Sequence, residues 1–78
     1  MEDSINTADL LPKEITPFHQ RLIAEKDELD EKIKKLQSFL ESSVFGAIEP
    51  AQQVLLRVQV KAMDTYSQIL TERLSLLQ

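Results

Sequence analysis

Two apolar rows at helical spacing, on either side of a short break that holds the only glycine, Gly46, constrain this chain more than any other feature. The first row is Phe18, Leu22, Leu29, Ile33, Leu36 and Leu40; the second is Leu56, Val60, Met63, Tyr66, Leu70, Leu74 and Leu77. Steps of mostly three and four residues place each row along one side of an α-helix. The spacing therefore predicts an all-α chain, an antiparallel two-helix hairpin closed near Gly46.

Start signals agree with that pattern. Thr16 stands before Pro17, where a hydroxyl can accept from exposed amides and proline needs no amide partner. Helix one is expected over about 17–41, with no interior glycine or proline after Pro17. Along it, Glu28/Lys32, Asp30/Lys34 and Glu31/Lys35 are acid-before-base pairs four apart, each worth about 0.2–0.5 kcal/mol. A break is expected over about 42–49, with Phe45 and Ile48 plugging the closed end of the hairpin. Pro50, preceded by Glu49, offers a second helix start, and helix two is expected over about 50–77, roughly 40 Å long. Residues 1–15 carry Glu2, Asp3, Asp9 and Glu14 against Lys13 and are interrupted by Pro12. They read as an acidic leader, flexible or strap-like, ahead of a hairpin domain over 16–78.

An antiparallel register about Gly46 puts Leu36 near Leu56, Leu29 near Met63, Lys26 near Tyr66 and Leu22 near Leu70, to within about one turn. Lys26 then occupies a place in the first row where an apolar residue is expected. Two readings follow: its stem covers apolar surface while the ammonium snorkels to water, with the Tyr66 ring as one place for it to lie over, or Lys26 and Tyr66 form a polar pocket for a ligand. The same register brings the first turn of helix one, with His19, Gln20 and Arg21, toward Arg73 near the end of helix two. Free helix-start amides and arginines are suited to holding phosphate.

Helix two carries a second apolar stripe, Leu55, Val58, Ala62, Ile69 and Leu76, that one partner helix cannot also cover. A chain of 78 residues with no cysteine has few ways to supplement so small a core. Self-association through helix two is the simplest remedy, with Leu10 and Leu11 folding back over the stripe as the alternative.

Composition removes several function classes. Net charge is −4, and no concentrated basic face suits duplex nucleic acid. No apolar run is long enough to cross a membrane and no signal peptide is evident, so a soluble, cytoplasmic protein is expected. The single histidine, His19, has no second histidine or cysteine to build a metal site, and none is expected. There is no phosphate-binding glycine loop, no HExxH and no serine nucleophile motif, so neither an enzyme nor a bound cofactor is expected.

The runs Leu29-Asp30-Glu31-Lys32-Ile33-Lys34-Lys35-Leu36-Gln37-Ser38-Phe39-Leu40, Phe45, Leu55-Leu56-Arg57-Val58-Gln59 and Ala62-Met63-Asp64-Thr65-Tyr66-Ser67-Gln68-Ile69-Leu70-Thr71-Glu72-Arg73 carry a resemblance. In that order, over about residues 17–77, the chain resembles short phage proteins related to a crAss-like phage gene product, a group that includes the anti-CBASS sponges. The resemblance implies a homo-oligomer, hexameric where such assemblies are described, that sequesters a cyclic nucleotide signal of bacterial immunity in the host cytoplasm. It also implies ligand-binding roles: Lys32 and Arg73 on phosphates, and Phe18 stacking on a base. Together with Arg21, Lys26 and Tyr66, these are the candidate site residues. The alternative function class is an inhibitor or adaptor that docks the spare apolar stripe or the acidic leader on a host protein.

Overall fold

The computed structural model describes residues 16–77. The expected leader over 1–15, and the expected cover by Leu10 and Leu11, lie outside the described residues. Two α-helices pack side by side: α1 (Pro17–Leu40) and α2 (Pro50–Leu76), joined through a 3₁₀ turn at Phe45–Ala47. No described helix is long and apolar enough to cross a membrane.

The start of α1 is fixed by its cap. Thr16 is extended, with φ −79° and ψ 161°, and its hydroxyl accepts from the His19 backbone N–H at 3.1 Å. Pro17 follows at the first helical position, where its missing N–H costs nothing. After Leu40 the backbone tightens, and the Ser42 hydroxyl donates to the Phe39 carbonyl at 2.7 Å, beside the Ser42 backbone N–H that donates to the same oxygen at 3.0 Å. At the start of α2 the Gln53 side-chain amide reaches back to donate to the Ile48 carbonyl at 2.7 Å. The expected plug is present: Phe45 is buried and Ile48 half-buried. Phe39 meets the Phe45 ring edge-on, with centroids 6.2 Å apart, and the Arg57 guanidinium lies 4.9 Å over the same ring.

The core runs along the helix pair. Leu22, Leu29 and Ile33 of α1 close on Leu70 of α2, which is 0% exposed, with Val60, Met63 and Leu74 packed against them. These are members of the two apolar rows, so helical period and antiparallel register together account for the core. The ends of the rows differ from expectation. Phe18 is 48% exposed, and Tyr66 and Leu77 stand at the margin of α2's inward face rather than on it. Ser67 takes the place given to Tyr66: a straight helix alternates steps of three and four, and Val60, Met63, Ser67, Leu70 and Leu74 follow that alternation. The second stripe, Leu55, Val58, Ala62, Ile69 and Leu76, is exposed throughout.

Candidate functional site

Ser67 is the one polar side chain within the inward row of α2, and the polar geometry of the hairpin is arranged round it. Its hydroxyl donates to one carboxylate oxygen of Asp30 at 2.5 Å, bridging α2 to α1. The other Asp30 oxygen accepts from the Lys26 ammonium at 2.6 Å, one turn earlier on α1. The Lys26 bond and then the Ser67 bond hold the Asp30 carboxyl below its ordinary pKa, because both stabilise the ionised form. A turn away, the Tyr66 hydroxyl donates to the Glu25 carboxylate, a second polar tie between the helices.

These contacts answer the question of Lys26. Its side chain is three-quarters covered, as a stem lying on apolar surface should be, but its ammonium turns to Asp30 instead of the Tyr66 ring. An ionised carboxylate fixed by Ser67 is a stronger attractor than a ring face. The same contact displaces the expected Asp30/Lys34 pair. Among the described residues, Lys26–Asp30 is the ion pair within 4.0 Å, and the three acid-before-base pairs are not formed. Exposed pairs of that kind gain little in high dielectric and cost side-chain freedom.

Beside the Asp30–Ser67 bridge lies an open groove of about 480 Å³, lined by Asp30, Ile33, Lys34, Gln37, Asp64, Ser67 and Gln68. Sequence reasoning did not single out this groove. The available signal was Ser67, a polar residue at helical spacing inside an apolar row.

The six candidate residues divide by level along the hairpin. Phe18 and Arg21, in the first turns of α1, are exposed, and Arg73 is exposed in the last turn of α2, where it complements the helix dipole. With the helices joined at Phe45–Ala47, the start of α1 and the end of α2 form the open end of the hairpin, and these three candidates lie toward it. Lys26 and Tyr66 lie deeper, each tied to a carboxylate of α1. Lys32 is exposed in the middle of α1. Fourteen residues of helical rise separate it from Phe18, about 21 Å. Phe18 and Arg21 thus stand near the start of α1 and Arg73 near the end of α2, with Lys32 at another level along α1. No three His, Cys, Asp or Glu side chains among the described residues are grouped to hold a metal ion.

Comparison with known proteins gives one match. The model of a family described as Sequestin matches residues 16–76. No curated protein and no solved structure matches the chain.

Proposed function

The chain belongs to the Sequestin family, and from that premise we propose that it works by sequestration: a non-enzymatic phage protein that assembles as a homo-oligomer and withdraws a cyclic nucleotide immune signal from the host cytoplasm. The observation that carries the reading is the extent of the family match, which runs from the Thr16 cap to Leu76 and so takes in both helices. The family's name supports sequestering; the choice of a cyclic nucleotide rests on the resemblance set out above and on the residue types at the open end.

Such a ligand offers phosphates and flat bases. Exposed Arg21 and Arg73 suit the phosphates, since a guanidinium can donate two parallel bonds to one phosphate. The α1 amides beyond the Thr16 cap add partial positive charge, and Phe18 and Tyr66 offer stacking faces. Lys32, about 21 Å from Phe18 along α1, serves a separate pocket or meets these residues only across subunits. No bond is made or broken; the effect is mass action on the free signal.

Thermal-shift measurements with cyclic dinucleotides, cyclic trinucleotides and cyclised ADP-ribose test the reading. A ligand bound only by the folded state stabilises it by about 2.7 kcal/mol at a hundred times its Kd. At least one of these compounds is expected to raise Tm, and no rise at saturating concentration for any of them overturns the proposal. Arg73→Ala or Lys32→Ala is expected to weaken binding about 10- to 100-fold, the worth of a charge-assisted hydrogen bond, without changing the oligomer's mass.

A further inference from the structure

The exposed side of α2 contains a row that recurs every seven residues: Leu55, Ala62, Ile69 and Leu76. Seven residues are almost two turns, so successive members drift by only about 20° round the helix. Such a row forms one nearly straight ridge, the pattern by which a helix seats another helix. Leu55 is 60% exposed and Leu76 82% exposed, and Val58 lies exposed along the ridge. On one flank of it stand Lys61 and Glu72, both exposed and eleven residues apart.

We propose that this ridge packs antiparallel against the same ridge of a second copy of the chain, about a twofold axis level with Thr65 and Tyr66. The order of sizes and charges along the ridge selects that arrangement. In a twofold contact, residue i of one copy meets residue j of the other, and j meets i. With the axis between Thr65 and Tyr66, Leu55 faces Leu76 of the second copy and small Ala62 faces bulky Ile69. Lys61 comes within about one turn of Glu72 of the second copy, and each pairing occurs twice. A parallel pair sets each ridge residue against itself, so that Ala62 on Ala62 leaves a gap, and it carries the flank with Lys61 and Glu72 to opposite sides of the two copies, so that the cation and the carboxylate do not meet. The twofold operation also keeps each flank of the ridge against its own counterpart, which is what lets the cation and the carboxylate meet.

Cysteine cross-linking reads the orientation directly, because the chain has no cysteine of its own. Leu55→Cys and Leu76→Cys each alter an exposed side chain, and circular dichroism checks that both variants stay helical. A mixture of the two is expected to give a covalent dimer with a short bis-maleimide. Either variant alone is expected to give none, since like positions then lie 21 residues apart along the axis, about 30 Å. Cross-linking of Leu55→Cys by itself overturns the proposal in favour of a parallel contact. No cross-link in any arm also overturns it, whether the ridge is covered by residues 1–15 or by another protein. As a second reading, Lys61→Glu and Glu72→Lys singly should raise the dimer's dissociation constant about 2- to 10-fold, and the two combined should restore it to within about twofold; absence of that recovery counts against the arrangement. The inference rests on the oligomeric part of the proposed function and not on its ligand. Loss of cross-linking with ligand stabilisation intact defeats the interface alone, and intact cross-linking without stabilisation defeats the ligand alone.

Discussion

Asp30 shows how much a single residue's role depends on what lies across from it. In the chain it sits among charges on a helix that is largely solvated; in the fold its carboxylate is claimed by Ser67 of α2 and by Lys26 one turn back. Both bonds favour the ionised form and lower its pKa. A depressed pKa contributes stability that is present above the unfolded aspartate value, about 3.9, and is lost as pH falls through the folded value. Tm of the protein is therefore expected to fall as pH drops below about 4, and Asp30→Asn is expected to lower Tm at neutral pH while making that acid-side decline shallower. A Tm–pH curve for the two proteins checks it; parallel curves would show that Asp30 has no part in the acid limb.

At the scale of elements, the turn does not depend on its glycine. Gly46 lies in the 3₁₀ turn at negative φ, and a Cβ placed on it would meet nothing within 4 Å. What closes the hairpin is buried Phe45, flanked by Phe39 and Arg57, with side-chain bonds from Ser42 and Gln53 at the two helix ends. Gly46→Ala is accordingly expected to stabilise the protein by about 0.4–1 kcal/mol, because alanine restricts the unfolded chain without straining the folded one. Urea denaturation measures this, and a loss of stability would mean that the turn needs the glycine after all.

For the whole molecule, the described core is one narrow seam with only a few side chains fully buried, while α2 leaves a long apolar ridge in water. Small chains without disulfides usually add association to such a core. With the proposed assembly, folding and association are linked, and Tm depends on protein concentration. A hundredfold increase in concentration is expected to raise Tm by about 5–10 °C, whereas a concentration-independent Tm would mark a self-sufficient monomer. Differential scanning calorimetry over that range provides the measurement.

Helical period, the Thr16-Pro17 and Pro50 starts and the alternation of apolar residues determined the hairpin and its register from sequence alone. They did so because capping, proline geometry and one-sided burial act over a few residues and leave their mark in spacing. The spare stripe on α2 was legible for the same reason. Only the tertiary structure decided that Ser67 and not Tyr66 lies on the inward row and that Lys26 turns to Asp30. Those outcomes depend on which side chain meets which across the two helices. A shift of one residue turns a side chain by about 100° round its helix, and the energy separating a bond to Asp30 from one to Lys34 or a ring face lies between elements rather than within either.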